Sequence, residues 1–363
     1  MSKLLSTAML AALAATTGAA QAQQVVNVYN WSDYIAEDTI ERFTAETGIQ
    51  VNYDVYDSND TLEARMLAGS SGFDVVVPTG DYLQRQISAG VYQPLNRDLL
   101  PNLANMDSQL MQLAEAFDEG NAHSVIYLWG TTGIGYNAAA VAERMGADYV
   151  VNSWDIVFNP EIASKFADCG IAWLDAHTEI LPPALRYIGR NPVTTDEADF
   201  EAAAAMLEQV RGTVRYFHSS QYISDLANGE ICLAIGWSGD VLQAAARAEE
   251  AGNGIEVGYA IPSEGAHLWF DLMAIPADAP HPEAAHAFIN FMMDAQIAAN
   301  NTNYVAYPNA NAASTPLIDA EILNDPTIYP SEETKAGMWT LRPYDSRTDR
   351  MVTRLWTRIR TGQ

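Results

Sequence analysis

The sequence predicts an α/β protein of two lobes, each built on a mainly parallel sheet covered by helices, and three observations carry that reading. Short apolar runs rich in β-branched residues alternate with helix-period segments along most of the chain, the pattern of repeated βα units. Once an N-terminal leader is set aside, about 340 residues remain, enough for two domains on a prior of about 150 each. No Pro-rich or low-complexity linker separates two halves, so the lobes are expected to be joined by strands that cross between them more than once. Hinges of that kind permit closure on a ligand.

The leader comes first. Lys3 supplies a positive start, Leu4 to Ala15 is mostly apolar, and Ala20-Gln21-Ala22 is a small-residue cleavage site, so residues 1–22 read as a cleaved signal peptide. The apolar run is too short for a membrane span, and no lipobox cysteine follows. Val25 to Tyr29 then reads as a strand and Glu37 to Thr47 as a helix that Gly48 can close in a left-handed cap. Ile49 to Tyr56 is strand-like, Asn59 or Asp60 is placed to cap a helix carrying Leu62, Met66 and Leu67, and Phe73 to Val77 reads as a buried strand ended by Pro78. A helix over Tyr82 to Ala89 and a strand over Ser124 to Trp129 follow. The stretch Gly130 to Asn137, with glycines at 130, 133 and 135, reads as a hinge turn, because its spacing is not that of a dinucleotide-binding loop.

A second series of units follows: a helix near Pro160 to Ala167, strand Ile171 to Leu174, an Ala-rich helix Phe200 to Val210, strand Val214 to Phe217, helix Tyr222 to Ala227 and strand Ile231 to Ile235. Strands Ile255 to Ile261 and Leu268 to Ile275 precede one long helix, Glu283 to Ala299, with Ala285, Phe288, Ile289 and Met292 on a single face. The chain closes in a basic helix, Arg347 to Arg360. The expected division is 23–130 plus 256–304 for one lobe and 131–255 plus 305–363 for the other. Cys169 and Cys232 are the only cysteines, and in an exported protein such a pair is expected to be bridged; two buried free thiols are the alternative. A bridge closing that loop is worth about 4 kcal/mol in the chain-entropy account.

The net charge of −27 argues against a nucleic-acid or anionic-membrane partner and suits a cationic ligand, although acidity also keeps exported proteins soluble. No H-E-x-x-H, G-x-S-x-G or Walker sequence occurs, and neither the histidines nor the cysteines have metal-ligand spacing, so no enzymatic activity, cofactor or metal is expected. What recurs is an aromatic residue beside a carboxylate at predicted strand ends: Trp31-Ser32-Asp33-Tyr34, Trp237-Ser238-Gly239-Asp240 and Trp269-Phe270-Asp271. Strand C-termini line the ligand crevice of an α/β sheet, so these clusters can converge. An aromatic face attracts a desolvated cation by about 2 kcal/mol, and a carboxylate adds charge-assisted hydrogen bonds, a combination matched by an alkylammonium with two or three charges. Core packing for the aromatics, and helix N-caps for Asp33 and Asp240, are the plainer readings of the same residues.

Tyr29-Asn30-Trp31-Ser32-Asp33-Tyr34, Gly72 to Pro78, Thr131 to Asn137, Phe217 to Tyr222, Ala227 to Cys232, Ile235 to Asp240 and Arg354-Leu355-Trp356-Thr357 together resemble the periplasmic polyamine-binding proteins of bacterial ABC importers, the putrescine-binding branch most. The resemblance spans essentially the whole mature chain. It implies a type II periplasmic-binding-protein fold, two α/β lobes with the ligand in the cleft between them, and periplasmic capture of putrescine or spermidine for delivery to an inner-membrane ABC permease. On the matching positions, Trp31, Tyr34, Trp237, Trp269 and Tyr307 would be aromatic walls, Asp240, Asp271 and Glu179 ammonium acceptors, and Ser32, Asp33 and Thr79 polar contacts at the cleft edge. The family's putrescine binders also have a cysteine pair at the places of Cys169 and Cys232. Three positions depart from the pattern: Thr79 stands for Ser, Trp269 for Phe, and Asp81 for a small neutral residue. If Asp81 reaches the cleft it would favour a third cationic centre or a guanidinium; if it caps the helix after Pro78, putrescine stays favoured. The chain is expected to act as a monomer. Another cationic solute such as agmatine, service to a sensor, and an exported hydrolase using Glu179 and Asp240 are the rival readings.

Overall fold

Alternation of part-exposed and buried residues from Val25 to Asn30 marks the first strand, β1 (Val25–Trp31), with Val26 and Val28 turned into the core. The computed structural model describes residues 24–362, so the leader expected over 1–22 lies outside the described residues. The helix Thr39–Thr47 follows and ends at Gly48, whose φ of 74° lets its N–H reach the carbonyl of Thr44. Then come β2 (Gln50–Tyr56), β3 (Val75–Val76), β4 (Ser124–Asn137), β5 (Ile171–Trp173), β6 (Val214–Phe217), β7 (Leu233–Trp237), β8 (Val257–Ala260) and β9 (His267–Ala274). Their lateral order is β2-β1-β3-β9-β4-β7-β5-β6, with β8 pairing β4.

The two flanks are parallel: β1 pairs β2 and β3, while β5 pairs β6 and β7. The middle is antiparallel. β4 runs 14 residues, pairing β9 along its first part and β7 and β8 along its second. Gly130 to Asn137, expected to form a turn, is therefore uninterrupted strand. Its glycines serve close approach and have no positive φ. A Cβ at Gly130 would lie 2.7 Å from the Trp269 ring, and one at Gly133 only 2.4 Å from the carbonyl oxygen of Ala260.

Two separate cores lie on either side of this crossing. The first gathers Val28, Phe43, Leu62, Trp129, Phe270 and Phe288; the second gathers Ile134, Trp154, Trp173, Leu233 and Trp356. The change falls between Trp129 and Ile134 on β4. Val257, Tyr259 and Ala260 pack in the second core, whereas Val305, Tyr307 and Ala310 pack in the first. Val257 to Ala260 reach the second core because β8 is zipped to the distal half of β4.

Several local expectations are corrected by capping and packing. Ser58, not Asn59 or Asp60, caps the helix Asn59–Leu67 by accepting the Thr61 N–H. The long helix expected over 283–299 is two helices, Pro282–Met292 and Ala295–Val305, because the Asp294 carboxylate accepts the N–H groups of Gln296 and Ile297 and starts the second. The helix His177–Tyr187 contains Pro182 and Pro183, residues that read as breakers in sequence. Cys169 and Cys232 are bridged, tying together the entries of β5 and β7, whose residues Ile171 and Leu233 pair.

Candidate functional site

The site lies where β1, β7 and β9 end or pass between the two cores, around a small cavity. At the end of β1 the Trp31 indole donates to the carbonyl of Val77 at 2.9 Å, which fixes its ring against Trp237 from β7, centroids 5.6 Å apart and near edge-on. Trp269 on β9 packs edge-wise on Tyr307 at 5.4 Å, and Tyr307 on Tyr34 at 5.1 Å. These five rings bound the cavity together with Ser32 and Thr79.

Two buried carboxylates line the cavity beside this aromatic set. Asp271 on β9 accepts hydroxyl protons from Thr79 at 2.7 Å and Tyr34 at 2.9 Å. Asp240, in the first turn of the helix Ser238–Ala251, accepts from Tyr222 and Tyr307, each at 2.8 Å. Both are buried, and neither forms an ion pair among the described residues. Burial pushes each carboxyl up to about 7, against the tyrosine and threonine hydroxyls that lower it. An arriving cation would favour the ionised form of each.

Glu179, in the first turn of the helix His177–Tyr187, is the third buried carboxylate on the cavity wall. It accepts from Thr132 at 2.5 Å and lies 3.1 Å from Nδ1 of His267. Burial raises its pKa, but the imidazole charge and the hydrogen bonds from His267, Thr132 and Trp237 outweigh that and hold it below the ordinary glutamate value. The His267 ring is correspondingly raised, Glu179 overcoming the effect of burial. The two shifts agree on an ion pair.

Ten of the twelve ligand-binding residues named from sequence line the cavity: Trp31, Ser32, Tyr34, Thr79, Glu179, Trp237, Asp240, Trp269, Asp271 and Tyr307. Asp33 and Asp81 do not. Asp33 adopts a left-handed turn conformation, φ 55°, and pairs with Arg247 at 2.6 Å across the seam between the lobes. It caps no helix, since Asp38 precedes the next one. Nor is Asp81 a cap: Thr79 holds that position, and Asp81 is the second residue of the helix Gly80–Ser88. Burial raises Asp81 to about 6, while His267 and Arg85 pull it down. Asp240 likewise lies inside its helix rather than at the cap, which is Trp237. Three lining residues escaped the sequence reading: Asp57, Asn59 and Ser219. Asp57 directly follows the end of β2 and Ser219 lies two residues past the end of β6, so the strand-end rule could have found them. Asn59 accepts the Thr79 N–H at 3.1 Å and donates to its hydroxyl at 2.8 Å, bracing the Asp271 partner, a role invisible without the fold.

The sequence pattern of the bacterial extracellular solute-binding proteins matches residues 38–330. The chain is 53% identical to the putrescine-binding periplasmic protein SpuD of Pseudomonas aeruginosa, covering 95% of each chain. It is 45% identical to the putrescine-binding periplasmic protein PotF of Escherichia coli, across 100% of this chain and 98% of that one. Among solved structures, a putative spermidine/putrescine ABC transporter from Listeria monocytogenes superimposes with a TM-score of 0.84 at 29% identity, over 94% of this chain and 100% of the other.

Proposed function

The chain belongs to the bacterial extracellular solute-binding proteins, and from that premise we propose that it captures a polyamine, putrescine or spermidine, by closure of its two lobes and delivers it to an inner-membrane ABC permease. One observation carries the choice of ligand: Asp240 and Asp271 are both buried on the wall of one aromatic-lined cavity with only neutral hydroxyls as hydrogen-bond partners. A buried carboxylate without a cation is costly, and an ammonium at each would relieve both. The methylenes of the ligand would then lie against Trp31, Trp237, Trp269 and Tyr307, where rings also attract the flanking charge. The periplasmic setting of the named relatives, and the signal peptide read over residues 1–22, support export of this chain. Capture involves no bond making or breaking, so the ligand is returned unchanged.

Within the site, Ser32 and Thr79 serve as polar contacts and Asp33 acts at the rim through Arg247. Titration calorimetry tests the reading, using protein unfolded and refolded to strip any carried ligand, against putrescine, spermidine, spermine and agmatine. Saturable one-to-one heat with at least one linear amine is expected. Silence across the panel, or a response to agmatine alone, would remove polyamine capture.

A further inference from the structure

We propose that His267 is a built-in cation of the binding site: by holding Glu179 in an ion pair it leaves Asp240 and Asp271 as the two buried carboxylates of the cavity without an ion-pair partner, and so favours a diammonium ligand over a triammonium one. This rests on the polyamine reading above and assigns a residue that lies behind the cavity wall. His267 begins β9, is 2% exposed, and places Nδ1 3.1 Å from Glu179. Three carboxylates surround it: Glu179 from the helix His177–Tyr187, Asp81 from the helix Gly80–Ser88, and Asp271 from its own strand, with Arg85 acting on Asp81 from the far side. An imidazole so placed is favoured in its charged form. Glu179 is the member of this group that also lines the cavity, so its charge is the one a ligand would meet. With His267 charged, that end of the cavity is already neutralised, and a third ammonium would be desolvated there without a free counter-charge.

The test compares putrescine and spermidine affinities in wild type and in His267→Gln, which keeps a hydrogen-bond donor near Glu179 and removes the charge. The spermidine-to-putrescine affinity ratio is expected to rise by about tenfold or more. In the double variant with Glu179→Gln the ratio should return to near the wild-type value, because the carboxylate that gained the third ammonium is gone. A second readout needs no variant. Over about pH 6 to 7.5, where both amines keep all their ammonium charges, the wild-type ratio should rise as His267 loses its proton; Asp240 and Asp271 meet both ligands, so their titration cancels in the ratio. An unchanged or falling ratio in His267→Gln, or, where that variant fails to fold, a flat wild-type ratio across the pH series, overturns the assignment while polyamine capture stands. Absence of binding by wild type to either amine would instead mean that the capture reading itself had failed.

Discussion

Lowering the pH should weaken amine binding steeply, because the ligand and the proton compete for the same two carboxylates. Burial raises Asp240 and Asp271 to about 7 in the amine-free site. The neutral acid is therefore the favoured form below that pH, and an alkylammonium, which stays charged throughout this range, must displace a proton from each to bind. The sign follows: affinity is highest above pH 7 and falls as pH drops through it. For a single group of pKa 7, moving from pH 8 to pH 6 reduces the ionised fraction about tenfold, so two independent groups give up to about a hundredfold, or about 2.7 kcal/mol. Calorimetric Kd values for putrescine at half-unit pH intervals provide the assay. Plotted as log Kd against pH, wild type should approach a slope of two on the acid side. Asp271→Asn and Asp240→Asn should each bind more weakly at pH 8 and approach a slope of one. A wild-type Kd constant from about pH 5.5 to 8 would refute the reasoning, since it would mean that the two carboxylates are not both protonated in the amine-free protein.

Two further outcomes test the supports of the cavity. In Gly239→Ala the new Cβ would fall 2.4 Å from the Tyr307 ring, which must move off Asp240; alanine is otherwise favourable in a helix. Amine affinity should drop by about tenfold or more through the lost hydrogen bond to a charged group, with far-ultraviolet circular dichroism unchanged, and wild-type affinity in this variant would show that Tyr307 does not hold the carboxylate. Arg247→Ala removes a pair spanning the lobes whose side chains are 41% and 37% exposed, so the expected loss is modest, below about 1 kcal/mol. Stopped-flow release should quicken by up to about fivefold at low salt, with the difference shrinking at high salt; release unchanged at low salt would deny the pair any part in holding the lobes together.

Much of the chain was legible before any coordinates. Period-two and period-3.6 patterns located β6 to the residue and the helix Ser346–Thr361 to within one residue at each end, because each element satisfies its backbone internally or with one neighbour and shows a single apolar face. The carboxylate–aromatic clusters at strand ends marked Trp31, Trp237, Asp240, Trp269 and Asp271 for the same reason: the side of an α/β sheet on which strands end is fixed by topology alone. Charge and composition added the expectation of a cationic ligand. What the sequence left open was decided by contacts between distant segments. Gly130, Gly133 and Gly135 read as a turn, since nothing local says that the rings of Trp269 and Tyr259 will press on the first two and the side chains of Val241 and Leu226 on the third. Asp33, Asp81 and Asp240 all fit the local rule for a helix cap, yet one bridges the lobes to Arg247, one faces His267, and one is gripped by two tyrosines. The charge state of a carboxylate is likewise absent from its neighbours in sequence: Glu179 is neutralised by a histidine 88 positions away, while Asp271 meets only hydroxyls. Burial and pairing are long-range properties of the folded chain, and they determine which of its many acids await a ligand.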